Sequence, residues 1–295
     1  MKKRHLLAPT LVALAALSLS ACSADTTGEA SSESGLTYTV VKNVDLVGSP
    51  TYDAAKKAGT VRIGVKEDQP GLGYLDAATG KRSGFDIEVA RWIAASLGFD
   101  DSQVQYRAIP SANREAAIVN DDIDFYVGTY SITDKRKEQI GFAGPYLVTG
   151  QGLLVVKGEK GISSEADLAG KTVCSATGST PVQNIKQNFP DTRTTEFDTY
   201  SQCVTAMLDG KADAVTTDQA ILIGYAAQRP DELAVVGEPF SVEKYGIGVA
   251  KEDAALRHFI NATLTDGGAQ WKAIYEATLG KSGTTISQPP VDDYS

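Results

Sequence analysis

The sequence is poor in the residues that most often carry catalysis or hold transition metals. It has two histidines and three cysteines in 295 residues. His5 lies in the leader-like opening, and His258 sits in "ALRHFINATL", where it reads as a helix-surface residue. A histidine-based triad and a His/Cys zinc site are thereby excluded, and neither a metal nor a cofactor is expected. Positive charge is also scarce, with 28 Lys and Arg against 37 Asp and Glu, which argues against nucleic acid as a partner. Aromatic residues make up 7% and charged residues 22%, as in an ordinary soluble globular chain. What is plentiful is apolar residue, 42% of the total, with 28 glycines and 11 prolines. That supports a sizeable core, and the length favours two compact units over one.

The first segment stands apart. "MKKRHLLAPTLVALAALSLSAC" has a basic head, an apolar stretch broken by Pro9, and small residues before Cys22, the pattern of a secretory signal over residues 1–21. It is shorter than the roughly 20 uninterrupted apolar residues of a spanning helix. "LSAC" resembles a lipobox, which implies that Cys22 is lipidated (diacylated) and becomes the first residue of the mature protein, anchored by acyl chains, with ordinary signal cleavage and an incidental cysteine as the alternative. "SADTTGEASSESG", from Ser23 to Gly35, is small, polar and acidic and reads as a flexible tether, with an N-terminal extension running on to residue 57. Cleavage before Cys22 removes three basic residues and no acidic one, leaving 25 against 37, a formal charge of −12. An acidic surface still permits an acidic ligand, because a buried site sets its own local field. The remaining cysteines, Cys174 and Cys203, are a pair left over in an exported chain; they read as a disulfide, with two separate buried thiols as the alternative.

From Thr60 onward strand and helix patterns alternate. "TVRIGV" is a short β-rich run; "GFDIEVARWIAASLG" places Phe85, Val89, Trp92, Ile93 and Leu97 on one helical face and stops at Gly98. "VQYRAI", "SANREAAIV" and "IDFYVG" continue as strand, helix and strand. A second series opens after "GLLVVK" with "KTVCSA", "TPVQNIKQNF", "TTEFD", "TYSQCVTAMLDG", "DAVTTD" and "AILIGYAAQ", and closes with "LAVVG". "YGIGVAK" is again a strand, two amphipathic helices end near Gly280, and "TTISQPPVDDYS" reads as a loose tail. Such alternation predicts parallel α/β layers. The two series also echo each other: "VNDDIDFYVGT" (Val119 to Thr129) aligns without gaps on "LDGKADAVTTD" (Leu208 to Asp218), which makes Thr129 and Asp218 equivalent strand exits. Ligands of open α/β sheets sit outside the carboxyl ends of strands, so two facing lobes would form a cleft lined from both sides.

The cleft chemistry follows from those exits. In "GTYSITDKRKEQIGFAGPY", Thr129, Ser131 and Arg136 offer hydrogen-bonding groups and a fixed cation suited to bidentate capture of a carboxylate, with a solvated helix start as the competing reading. "SATGSTPVQNI" brings the backbone N–H groups of Ala176 to Ser179 to a helix start, which favours an anion, and capping by Ser179 or Thr180 is compatible with that. Asp218 either holds an ammonium group or caps the following helix. An arginine, a helix start and an aspartate together make a receptor for a zwitterion.

These features resemble the polar amino-acid-binding proteins of ABC importers over nearly all of Thr60 to Gly280. The matching stretches are "SGFDIEVA", "SITDKRK", "FAGPY", "TGST" and "DAVTTD". "EDQPGLGYLD", "CSATGSTPVQNIK", "TYSQC" and "EKYGIGV" are similar to the glutamate-binding lipoproteins of Gram-positive uptake systems, and the Cys174/Cys203 pair fits that subgroup. The resemblance implies that Arg136 binds the ligand α-carboxylate, helped by Ser131 and the backbone of Thr129. Thr177 and Gly178 would reach the same carboxylate from the second lobe, and Asp218 would take the α-ammonium. It also implies a second arginine for an acidic side chain; Arg114 of "SANRE", 22 residues before Arg136, stands where that residue would fall, and Lys66 is a further candidate. A surface helix position is the competing reading for Arg114.

The expected architecture is therefore an α/β, two-lobe, periplasmic-binding-protein-like fold of type II, each lobe a mostly parallel sheet flanked by helices. Residues 58–149 and 247–280 would form lobe one, 150–246 lobe two and 281–295 the tail. The expected function is capture of an acidic amino acid, glutamate ahead of aspartate or glutamine, and its delivery to permease subunits by a monomer held at the outer face of the cytoplasmic membrane. A sensor with the same site for a signalling partner, and a cleft enzyme on the same scaffold, are the alternatives; Glu67, Asp68 and Asp218 have no evident catalytic partner, which disfavours the enzyme.

Overall fold

The structure is a computed structural model describing residues 34–282 and 286–293; Cys22, the leader and most of the tether lie outside the described residues. The chain first forms α1 (Pro50–Ala58), an element not expected from the sequence patterns. Ser49 caps it by accepting the N–H of Tyr52, Pro50 opens it, and Gly59 closes it in the left-handed conformation at φ 70°. Tyr52 and Ala55 are its buried face, and Ser49 also donates to Asp253 at 2.8 Å, tying the helix to the far end of the chain.

β1 (Val61–Val65) is followed by a small antiparallel sheet of β2 (Asp68–Gln69), β3 (Gly73–Leu75) and β4 (Arg82–Ser83), then by α2 (Phe85–Ser96), β5 (Val104–Ala108), α3 (Arg114–Val119), β6 (Phe125–Tyr126), α4 (Asp134–Lys137) and β7 (Gly141–Thr149). β8 (Gln151–Val156), β9 (Thr172–Ala176), α5 (Thr180–Asn188), β10 (Arg193–Phe197), α6 (Tyr200–Leu208), β11 (Ala214–Asp218), α7 (Gln219–Gln228) and β12 (Leu233–Val236) make the second series. β13 (Glu243–Val249), α8 (Ala254–Asp266) and α9 (Gly268–Ala277) return to the first.

The two main sheets run β5-β1-β6-β13-β7 and β10-β9-β11-β8-β12. In each, three strands pair in parallel, the fourth (β13 or β8) joins antiparallel to them, and the fifth (β7 or β12) pairs antiparallel with that one. The echo in the sequence is a structural repeat. The Asp124 N–H donates to the carbonyl of Arg62 on β1 at 2.7 Å, and the Asp124 carboxylate accepts the Arg62 N–H at 2.6 Å. Thr172 and Asp213 repeat that arrangement, with the carboxylate accepting the Thr172 N–H at 2.7 Å. The register agrees as well: Ile63 pairs with Phe125 and Val173 with Ala214, so Thr129 and Asp218 occupy matching strand exits.

The crossover segments lie side by side. Gln151 N–H donates to the Ser241 hydroxyl at 3.0 Å, and Phe240 N–H donates to the Gln151 carbonyl at 2.9 Å. A side chain at Gly150 would collide with the Ser241 carbonyl, so this close passage requires glycine. Cys174 and Cys203 form a disulfide with a Cα–Cα distance of 5.3 Å, joining β9 to α6. The tail departs from the loose segment expected for it. Asp292 N–H donates to the Gly144 carbonyl at 2.9 Å, Lys244 pairs with Asp292 at 2.7 Å, and Asn261 donates to Asp293 at 3.0 Å. Ile286 and Val291 pack against the core, so apolar contact and two carboxylates hold a stretch whose prolines alone give no sign of docking. Among the described residues no helix is long and apolar enough to cross a membrane.

Candidate functional site

Arg136 decides between the two readings of its charge run. It lies on α4, whose start is capped by the Thr133 hydroxyl accepting the Arg136 N–H at 3.2 Å, and it is 7% exposed while Lys135 and Glu138 face solvent. Its guanidinium donates to Glu115 Oε1 (3.1 Å), to the Ser131 carbonyl (2.7 Å) and across the cleft to the Gly178 carbonyl (3.1 Å). Burial and the neighbouring Arg114 lower its pKa.

Arg114 opens α3 and is 2% exposed, which removes the surface-helix reading. It donates to the carbonyls of Ser111 (3.1 Å) and Thr129 (3.3 Å). Its guanidinium lies 4.2 Å from the centroid of Tyr130, whose ring also carries Arg136 at 5.0 Å, so one phenol stands between two cations. Lys66, just beyond β1 and 5% exposed, donates to the Ser111 hydroxyl at 2.8 Å. Burial, then Arg114, pushes its pKa down to about 7. Lys66, Arg114 and Arg136 are thus linked through Ser111 and Tyr130 in one buried cluster.

Thr129 is held at φ 47°, a left-handed conformation that a β-branched residue adopts only when its surroundings enforce it. The enforcing group is Asp86 on α2, whose carboxylate accepts the Thr129 N–H and the Tyr146 hydroxyl, each at 2.9 Å. Burial pushes the Asp86 carboxyl up to about 7. Ser131 accepts a hydrogen bond from Thr180 of the other lobe at 3.2 Å.

On the second lobe, the turn between β9 and α5 carries Thr177 and Gly178. Two of its N–H groups expected to be free are taken: Thr177 donates to the Phe197 carbonyl (2.8 Å) and Ser179 to the Ala176 carbonyl (3.1 Å). No such bond from the Gly178 N–H is formed among the described residues. Gly178 has φ 76°, and a Cβ there would lie 2.6 Å from Ala112 Cα, so glycine is required for the lobes to meet. Asp218 ends β11 and makes no side-chain cap on α7, which removes the capping reading. Its Oδ2 accepts the Tyr245 hydroxyl at 2.6 Å, and its buried Oδ1 has no protein partner. Burial, then the charge of Glu243, pushes this carboxyl up to about 7.

All eight residues singled out in the sequence therefore converge where the lobes meet. A buried set of this kind, cationic on one side and carrying a half-satisfied carboxylate on the other, can bind an ion with separated charges. Sequence reasoning missed Asp86, Glu115, Tyr130 and Tyr245, which position those groups. Asp86 had a signal, one of two carboxylates, with Glu88, in the first turn of a largely apolar helix; the others have none without the fold. Gln69, completely buried on β2 with neither amide atom paired, is a further polar group that the patterns did not mark.

The profile of the bacterial extracellular solute-binding proteins, family 3, matches residues 61–281. This chain belongs to that family. It is 42% identical over 256 residues to the glutamate-binding protein GluB of Corynebacterium efficiens, covering 82% of this chain and 86% of the relative. It is 41% identical over 206 residues to a glutamine-binding protein of Geobacillus stearothermophilus, covering 70% and 78%. Among solved structures, an ancestral arginine-binding protein bound to arginine superposes with a TM-score of 0.70 at 35% identity, covering 75% of this chain and 99% of that one. The fold is the type II periplasmic-binding-protein architecture, and the relatives of this family 3 member are solute-binding proteins and not enzymes.

Proposed function

We propose that this family 3 protein captures an acidic amino acid, glutamate first, between its lobes and hands it to the permease of an ABC importer. Arg136 receives the α-carboxylate, with Ser131, the Thr129 backbone, Thr177 and Gly178 around it, and Asp218 receives the α-ammonium. Arg114 and Lys66 receive the side-chain carboxylate. The observation that carries the choice of an acidic ligand is Arg114: a fully buried guanidinium whose hydrogen bonds go to two backbone carbonyls and not to a carboxylate. Glutamine would leave that cation poorly matched, at a cost of about 1.5 to 3 kcal/mol, or roughly tenfold to a hundredfold in affinity. The relatives include proteins named for glutamate and for glutamine, so the side-chain end of the site is where the distinction lies. The lipid anchor at Cys22 would keep the receptor at the outer face of the membrane, within reach of its permease.

Calorimetric titration of the mature chain and of Arg114→Ala with glutamate, aspartate, glutamine and asparagine tests this. Glutamate is expected to bind tightest to the wild type and to fall to the glutamine value in the variant. Tightest binding of glutamine, or an unchanged variant, rejects the acidic side-chain pocket.

A further inference from the structure

Away from the cation cluster, the lobes touch through a second set of residues. Asp68 on β2 reaches α6, where its Oδ2 accepts the Ser201 N–H at 3.1 Å. That N–H belongs to the first turn of the helix, where amides lack intrahelical partners and a carboxylate is favoured. The same oxygen lies 3.3 Å from the Tyr225 hydroxyl on α7, and Tyr225 also donates to the Asp68 backbone carbonyl. Burial and the Asp68 charge raise the Tyr225 phenol, so it stays a donor. One residue earlier, Gly224 faces Pro70: a Cβ there would overlap the Pro70 carbonyl oxygen while the helix backbone itself remains ordinary.

We propose that Asp68, Ser201, Tyr225 and Gly224 form a closing latch, which sets how tightly the protein holds any amino acid without choosing among them. These contacts exist only when the lobes are together, and none of them uses a group assigned to the ligand. They favour the closed form, and a ligand that needs that form gains the whole of their contribution. Gly224 is the steric half of the latch, because any larger residue holds the lobes apart.

The inference rests on the ligand reading above only in that binding requires closure. Asp68→Ala, Tyr225→Phe and Gly224→Ala are titrated with glutamate and glutamine beside the wild type, and ligand-free thermal unfolding is recorded for each. Asp68→Ala is expected to weaken both ligands by the same factor, about tenfold to a hundredfold, and Tyr225→Phe by less. Gly224→Ala is expected to weaken both while the ligand-free protein unfolds no earlier, since alanine favours the helix. Wild-type affinity in Gly224→Ala, or a loss that differs between the two ligands, overturns the latch. If the wild type binds neither, the panel is widened to all common amino acids, and the same ratios are read on whichever binds. If none binds, the ligand reading fails and spin-label distances between the lobes decide the latch: longer in Gly224→Ala supports it, and equal rejects it.

Discussion

The two lobes are one frame built twice, and they differ where the frame ends. Each has a leading strand, an edge strand and an inner strand in parallel, with an aspartate stapling the inner strand to the leading one. At the matching exits the chemistry diverges. Lobe one ends in Thr129, beside Lys66, Arg114 and Arg136; lobe two ends in Asp218, beside the start of α5. A repeated scaffold thus carries opposite charges to a shared boundary. That arrangement suits a zwitterion, because each end of such a ligand would find its counter-charge on a different rigid body and closure would satisfy both.

The contrast breaks most directly if one charge is removed from each side. Arg136→Ala should cost binding about 3–5 kcal/mol, since it removes a buried hydrogen-bonded charge, and Asp218→Asn a comparable amount. Their effects on the ligand-free fold should differ in sign. Arg136→Ala leaves Glu115 and two carbonyls without a donor and destabilises. Asp218→Asn relieves a buried carboxylate with one unpaired oxygen and should leave the midpoint of thermal unfolding unchanged or higher. Calorimetric titration and thermal unfolding of both variants check this, and an Asp218→Asn protein that still binds at full strength would remove lobe two from the ammonium end.

Titration sharpens the comparison. Lys66 in lobe one is pushed down to about 7 and Asp218 in lobe two is pushed up to about 7. In the ligand-free protein the lysine sheds its proton above that value, while the unfolded chain keeps it up to its ordinary pKa; its contribution to stability therefore rises with pH across that window. The aspartate runs the other way: below about 7 the fold holds a proton the unfolded chain has lost, so its contribution falls as pH rises from about 4 to 7. A ligand that pairs with both must return a proton to Lys66 on the alkaline side and expel one from Asp218 on the acid side. Affinity should peak near neutrality and fall by up to about tenfold per pH unit on each side. Lys66→Met should flatten the alkaline limb alone. A titration series in which that limb persists in the variant would show that Lys66 does not meet the ligand.

Much of the frame was legible because it rests on local pattern: period-two runs, capped helices and glycine stops mark nearly every strand and helix of the two main sheets. The echo around Asp124 and Asp213 was legible for the same reason, being eleven aligned positions ending in equivalent exits. Of the cleft cations, Arg136 was offered by its place past a strand exit, but choosing burial for it and singling out Arg114 and Lys66 took the resemblance to a family, since a basic residue at a helix start has the same local appearance whether buried or solvated. Arg136 and Lys135 are adjacent, and only the packing of Tyr130 and the approach of Gly178 make one of them buried. The groups that hold the site, Asp86 on Thr129 and Tyr245 on Asp218, are 43 and 27 residues from their partners, beyond what periodicity reports. The docking of Ile286 to Asp293 was invisible likewise, because its partners lie on other elements.

The smallest effect tests the frame itself. Asp124→Ala and Asp213→Ala remove the same staple from the two lobes, a carboxylate accepting the N–H of the leading strand. Asp124→Ala should cost about 1.5–3 kcal/mol of stability, the range for a hydrogen bond to a charged group, and Asp213→Ala, whose carboxylate is exposed, less. The two sites differ in two respects: Asp124 is buried and also pairs with the Arg62 guanidinium at 2.5 Å, whereas Asp213 is exposed and has no ion pair among the described residues. Arg62 is 33% exposed along its side chain, so solvent screens most of that attraction and its share should be no more than about 1 kcal/mol. Denaturant unfolding should therefore show the larger loss in the Asp124 variant, through both the burial of its staple and the ion pair. Salt should shrink the part of the gap that comes from the exposed ion pair and leave the part that comes from the burial of Asp124. Equal losses at high salt, or none in either variant, would mean that burial does not set the strength of the two staples.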